Sequence, residues 1–119
     1  MLLKVLKSKL HRATVTDTRL HYPGSLAVDP DFLEAAGILT YESVVIADLE
    51  NGNRLETYVV PADRGSKDII VLGAAARLIR KGHLVIIMNF ALCTPEEAAA
   101  LKPRVVVFGE NNEITKMPS

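Results

Sequence analysis

The amino-acid sequence predicts a single, mainly β domain closed into a barrel. Three observations carry that expectation. Short apolar stretches rich in Val, Ile and Leu recur along the chain, with tight-turn signals between them. Only three stretches carry helix signals, and all three are short. The core has to be aliphatic, because hydrophobic residues make up 49 % of the 119 residues and aromatics only 5 %. A chain of this length fits one domain with a modest core.

Residues 2–7 alternate apolar and basic and read as a strand, and residues 9–20 continue extended, rich in Thr and Val. On a regular strand Lys9 and His11 share one side and Leu10 takes the other. The stretch Leu20-His21-Tyr22-Pro23-Gly24-Ser25-Leu26 is then a tight turn, in which Gly24 is expected to use backbone angles closed to other residues. Leu26-Ala27-Val28 is a short strand. Asp29 fits an N-cap with Pro30 at the first helical position, and the helix over 31–36 stops at Gly37. Residues 43–49 form a strand, Asn51-Gly52 is a hairpin turn, and Arg54 to Val60 returns as a strand closed by Pro61. Asp63-Arg64-Gly65-Ser66 is another turn, leading to a strand over 68–72. Gly73 begins an Ala-rich helix ending at Lys81-Gly82. Residues 83–90 follow as a strand apolar enough to be buried on both faces. Thr94-Pro95-Glu96-Glu97 is a capping box whose helix runs to Leu101, before Pro103. Residues 104–108 form the last strand, and the polar tail from Glu110 is expected to fray.

Charge and composition exclude several functions. Lys plus Arg and Asp plus Glu number 14 each. Zero net charge argues against a polybasic nucleic-acid binder or a membrane-surface protein, and offers little resistance to self-association. The single cysteine, Cys93, excludes an internal disulfide and fits a reducing, cytoplasmic compartment. No apolar run is long enough to span a bilayer, and Met1 to Lys7 is too short and too interrupted by lysine for a signal peptide. No metal site is expected.

The chemistry centres on Gly24-Ser25. Glycine has no Cβ, so its carbonyl carbon is open from one side, and the Ser25 hydroxyl follows directly. Such a pair can rearrange from amide to ester where the fold strains the peptide and stabilises the oxyanion. Taken alone, the dipeptide reads as an ordinary Gly-Ser turn, since short motifs match by chance.

Its neighbours are more specific. Lys9-Leu10-His11-Arg12, Leu20-His21-Tyr22, Gly24-Ser25, Asp31-Phe32-Leu33, Ala35-Ala36-Gly37-Ile38-Leu39, Asn51-Gly52, Arg54, Thr57-Tyr58, Arg64-Gly65-Ser66 and Gly73-Ala74-Ala75-Ala76 keep order and spacing within a wider match that runs from near residue 1 to about residue 113. This set resembles the aspartate 1-decarboxylase family. The resemblance implies a six-stranded double-psi β-barrel. It also implies self-cleavage between Gly24 and Ser25, into residues 1–24 (β chain) and 25–119 (α chain), with a covalent pyruvoyl cofactor made from Ser25. Decarboxylation of an α-amino acid leaves electrons that no side chain takes up, which is the need such a cofactor meets. The implied reaction turns L-aspartate into β-alanine and CO2 for pantothenate and coenzyme A biosynthesis. The implied assembly is a homotetramer with sites between subunits, and an accessory maturation factor stays open as a partner.

Residue roles follow from the same resemblance. Ser25 is the nucleophile of self-cleavage and the cofactor precursor, and Tyr58 is the proton donor. Thr57 supports the rearrangement and contacts substrate. Arg54 is a carboxylate clamp, suited by its two parallel N–H donors. Gly73, Ala74 and Ala75 offer small side chains and backbone N–H groups to a carboxylate. Lys9 adds a second positive charge, and His11 shapes the pocket beside it. One difficulty arises from strand period. On a flat strand Arg54 and Tyr58 share a face and Thr57 points away, so a bulge, a twist at the strand end or a subunit junction is expected to unite them. Three positions depart from the family pattern: Leu72 where many relatives carry asparagine, Pro23 where an acid is frequent, and Ala47 in place of a large aromatic. The competing readings are a non-catalytic β-barrel binding module and, weakened by the neutral charge, a small DNA-binding barrel.

Overall fold

The computed structural model describes residues 1–118. Its strands are β1 (Leu3–Thr14), β2 (Asp17–Arg19), β3 (Ser25–Val28), β4 (Ser43–Asp48), β5 (Arg54–Pro61), β6 (Ile69–Leu72), β7 (Leu84–Cys93), β8 (Arg104–Phe108) and β9 (Ile114–Lys116), with helices α1 (Pro30–Ala36) and α2 (Pro95–Ala100). The N-terminal alternation is thus one twelve-residue strand followed by a short one. Register shifts between Leu6 and Ser8 and between His11 and Ala13 bend β1 along β7, as bulges do.

The strands form one sheet in the order β2-β6-β3-β5-β4-β7-β1-β8-β9. The sheet closes because β1 runs on into β2. Between them the Val15 N–H donates to the His83 carbonyl (2.9 Å) and the Thr16 N–H to the Ile69 carbonyl (2.8 Å). Six strand paths therefore complete a ring: β1 with β2, then β6, β3, β5, β4 and β7. Two parallel pairs, β2–β6 and β3–β5, sit among antiparallel neighbours. This is a mainly β double-psi barrel, with β8 and β9 added outside the ring on the edge of β1. Closure leaves few strand edges free.

Pairing register sorts side chains into inward and outward rows, because directly opposed residues share a face. Leu10, Ile87, Ile46 and Leu55 are successive partners across β1, β7, β4 and β5, and the first three are at most 1 % exposed. They belong to the single aliphatic core, and burying each such side chain contributes about 1.5–3 kcal/mol. His11, Ile86, Ala47 and Arg54 form the adjacent outward row, and Lys9, Met88, Val45 and Glu56 the next. So β7 alternates between core and outer face rather than being buried on both sides.

Local signals place the connections. Asp29 is buried and caps α1 by accepting from the Asp31 N–H (2.9 Å); its carboxylate also accepts from the backbone of Gly65 and Lys67, tying the 63–66 turn to the helix. Gly37 ends α1 at φ 70°, and the Ile38 N–H returns to the Leu33 carbonyl. Phe32 on α1 meets Phe108 on β8 edge to face, 4.7 Å between centroids, which seats the helix against the outer sheet. The Thr94–Glu97 capping box is present at the start of α2.

Two expectations fail. The Ala-rich segment after Gly73 makes only one 3-10 turn, Gly73–Arg77: Leu72 before it offers no capping side chain, and Gly73 itself stands at φ 83°, outside right-handed helical geometry. Residue 119 lies outside the described residues, and the tail does not fray over 110–116. It makes a 3-10 turn and then β9, pinned by Asn112, which is 1 % exposed. Its Oδ1 accepts from the Thr14 N–H (2.7 Å), and its Nδ2 donates to the carbonyls of Thr14 and Lys67, each at 2.9 Å. Replacing this group strands buried backbone partners. Asn112→Ala is therefore expected to cost about 2–3 kcal/mol in urea denaturation; a change below about 0.5 kcal/mol, the range of an ordinary surface substitution, would contradict the pinning.

Candidate functional site

Ser25 opens β3 directly opposite Leu72, the last residue of β6. The chain therefore delivers Gly24 to the point where β6 turns into the Gly73–Arg77 segment. Gly73 has φ 83°, and a Cβ on it would lie 2.6 Å from the Gly24 Cα, 3.0 Å from the Gly24 nitrogen and 3.1 Å from the Tyr22 carbonyl oxygen. Only a hydrogen fits there, so Gly73 is fixed by both its backbone angle and its neighbour. Gly24 is the reverse. Its backbone is outside the left-handed region, and a Cβ on it would touch nothing within 4 Å. The expectation of unusual angles at Gly24 is thus corrected: Gly24 is exposed, with open space where its Cβ would stand, and the conformational demand sits at Gly73. Ser25 itself is 6 % exposed, and its hydroxyl lies 3.4 Å from the Pro23 carbonyl oxygen, a long contact.

Beside Gly24 lies a cavity of about 450 Å³. One wall is Leu55, Glu56, Thr57 and Tyr58 of β5; the other is Leu72, Ala74, Ala75 and Leu78. That both Thr57 and Tyr58 line it answers the period difficulty. The β4–β5 register runs without interruption, so no bulge is present. Thr57 pairs with Val44, whose side chain is in the core, whereas Tyr58 lies on the outward face with Arg54. However, β3 joins β5 only from Val59 onward. Over residues 54–58 the β3-side edge of β5 is unpaired, and side chains from both faces reach the space beside it.

The remaining expected residues are elsewhere. Arg54, Lys9 and His11 do not line the cavity. They lie on the outer wall of the barrel, where His11 and Arg54 share one transverse row and Lys9 the next. Ala47 stands between Ile86 and Arg54 in that row and is 7 % exposed. The one charged side chain that does line the cavity is Glu56, an acid. His11 adds no cation. Burial, and then the charges of Lys9 and Arg12, hold its pKa below the ordinary imidazole value. It is therefore neutral at neutral pH, with a buried Nδ1 that has no hydrogen-bond partner among the described residues.

The departures have structural consequences. Leu72 faces Ser25 across the β3–β6 pair and brings no polar group to it. The Gly73 segment is one 3-10 turn, too short for a helix dipole, so its N–H groups act singly. Sequence reasoning missed Leu55, Glu56 and Leu78. The first two are flanked by the matched residues Arg54 and Thr57, while Leu78 carries no local signal.

Comparison with known proteins adds to this geometry. The family described as aspartate decarboxylase matches residues 1–115. A protein of Caldicellulosiruptor saccharolyticus named aspartate 1-decarboxylase is 50 % identical over 117 residues, covering 98 % of this chain and 91 % of that protein. One of the same name from Lactiplantibacillus plantarum is 51 % identical over 116 residues, covering 98 % and 89 %. Another, from Acetivibrio thermocellus, is 46 % identical over 119 residues, covering 100 % and 94 %. Among solved structures, the computationally designed msDPBB_sym2 protein aligns with a TM-score of 0.46 and 19 % identity, over 73 % of this chain and 99 % of that one.

The two glycines are expected to respond oppositely to an added methyl group. Gly73→Ala should lose about 2 kcal/mol or more in thermal or urea unfolding, because the clash is with backbone and φ is positive. Gly24→Ala should change stability by less than about 1 kcal/mol. Equal effects would contradict the packing described.

Proposed function

This chain belongs to the aspartate decarboxylase family, and from that premise we propose that it matures by cutting itself at Gly24–Ser25 and then converts L-aspartate to β-alanine and CO2, the step that serves pantothenate synthesis. The observation that carries the reading is the Gly24–Ser25 bond at the mouth of a cavity lined by Thr57, Tyr58, Ala74 and Ala75.

In the maturation we propose, Ser25 Oγ attacks the Gly24 carbonyl carbon. The acyl group moves from nitrogen to oxygen, and the hydroxyl proton passes to the freed amine. Loss of the Ser25 α-proton then expels the ester oxygen, leaving Gly24 as a carboxylate. Residue 25 becomes dehydroalanine and hydrolyses with release of ammonia. Gly73 supports the reading, since its bare Cα lets the 22–24 segment sit where Ser25 can reach back. Thr57 approaches from the core side of β5 and offers a hydroxyl to the oxyanion. After cleavage, residues 1–24 stay bound through β1, which pairs with β7 and β8, and β2, which pairs with β6, and through buried Leu10, Ala13 and Val15.

The residue 25 pyruvoyl group supplies a carbonyl electron sink for the electron pair left when CO2 departs. The rest is the work of side chains. Tyr58 holds at its phenol oxygen the proton given to the substrate carbon. Ala74 and Ala75 keep the floor shallow, so a small substrate reaches backbone N–H groups. L-Aspartate carries two carboxylates, and the only charged side chain lining the cavity is an acid. The cations therefore come from a neighbouring copy. Lys9 and neutral His11 on β1 and Arg54 on β5 all face outward from the barrel wall, with β7 and β4 between the two strands, which supports a homotetramer whose sites lie between subunits. The buried lone Cys93 suits a reducing, cytoplasmic setting.

Ser25→Ala is expected to give an unbroken, inactive chain by intact mass. Tyr58→Phe should still be cut but lose about 10²-fold or more in kcat; undiminished β-alanine formation would remove Tyr58 from its role. Arg54→Ala and Tyr58→Phe subunits, each inactive alone, should regain about a quarter of wild-type activity when co-expressed in equal amounts, because shared sites recombine. No recovery would place the whole site in one chain.

A further inference from the structure

Among the described residues, Tyr41 is the only aromatic one with left-handed backbone, at φ 74°. Bulky side chains avoid that region, and such outliers persist only where the surroundings over-determine them. Here they do. The Tyr41 N–H donates to the Val59 carbonyl (2.8 Å), and the Val59 N–H donates to the Glu42 carbonyl (3.2 Å). Both Glu42 carboxylate oxygens accept from Lys7 Nζ at 2.8 Å, and one also accepts from the Leu39 N–H at 2.7 Å. Asn89, 1 % exposed, donates its Nδ2 to the Ser43 carbonyl at 2.8 Å. Strands β1, β5 and β7 thus all grip the short 39–43 turn.

What this grip delivers is the Tyr41 ring to Tyr58. The ring centroids are 6.3 Å apart at an interplanar angle of 49°, within the range of favourable aromatic pairs. Tyr58 precedes Val59, the residue that the turn clamps, and faces Ser43 across β4. It also sits on the unpaired stretch of β5, where no neighbouring strand restrains its ring on the cavity side.

We propose that Tyr41 is a positioning residue, whose ring packs against Tyr58 and limits the phenol to rotamers that point into the cavity. The inference rests on the reading of Tyr58 as proton donor and extends it to a residue outside the cavity wall. Its strain is the sign of that role, since a residue suited to φ near +74° would hold the turn more comfortably without reaching Tyr58.

Asparagine tolerates left-handed backbone, so Tyr41→Asn removes the ring while keeping the turn. The full-length, self-cleaved variant should melt no lower than the parent and cleave as completely. Its kcat should fall about five- to tenfold with KM within about twofold, as expected when an aromatic pair orienting the proton donor is lost. Tyr41→Phe, which keeps the ring, should restore kcat to within about twofold. Unchanged kcat in Tyr41→Asn overturns the proposal, as does an equal loss in Tyr41→Phe or a loss confined to KM. Tyr58→Phe assayed alongside separates the two claims. Full activity there defeats the proton-donor reading, whereas full activity in Tyr41→Asn beside an inactive Tyr58→Phe defeats the positioning role alone.

Discussion

At Gly73 and Gly24 two stretches of backbone meet at a distance that leaves no space for a side chain. The contact follows from register. Ser25 pairs with Leu72, so the first residue of β3 and the last of β6 are level, and the chain must leave both strands at the same place. The exit from β6 is made at φ 83°, which turns Gly73 under the incoming 22–24 segment. On the other side of β3, pairing with β5 begins only at Leu26 and Val59. Gly24 is therefore held from below and left open on the side of β5, and the cavity occupies that open side. Its lining, including the unusual union of Thr57 and Tyr58, is a consequence of where three strands start and stop.

The barrel wall divides the chemistry. Inward rows hold the aliphatic core, and outward rows carry Lys9, His11 and Arg54 across β1, β7, β4 and β5. Among the described residues the cavity presents Glu56 and no cation, which makes one chain alone a poor site for a dicarboxylate. Near-zero net charge removes the general repulsion that would keep copies apart. The proposed division of the site between copies accommodates both features, with the cleavable bond and Tyr58 on one chain and Lys9 and Arg54 on the next.

Local chemistry was the legible part of the sequence. Caps at Asp29, Gly37 and Thr94 are encoded within a few residues, and the strands between them follow from alternation and turn residues. Whatever depended on distant pairing was hidden. The sequence placed Thr57 and Tyr58 on opposite faces correctly, yet could not show that β5 lacks a partner beside them. It drew attention to Gly24 as conformationally special, while the demand falls on Gly73, 49 positions later in the chain. The polar tail looked free because Asn112 finds its partners at Thr14 and Lys67, far away in sequence. Tyr41 carried no signal at all, since nothing in its neighbours announces a left-handed aromatic.

The central claim is that residue 25 ends as a reactive carbonyl at the head of its own fragment. Purified protein incubated with isotopically labelled L-aspartate and a borohydride reductant, then digested and mapped, tests it directly. The account predicts label fixed on residue 25 at the amino terminus of the 25–119 fragment, with a companion fragment ending at Gly24. An active protein whose chain is unbroken, with an intact serine at position 25 and no label on it, would contradict the account.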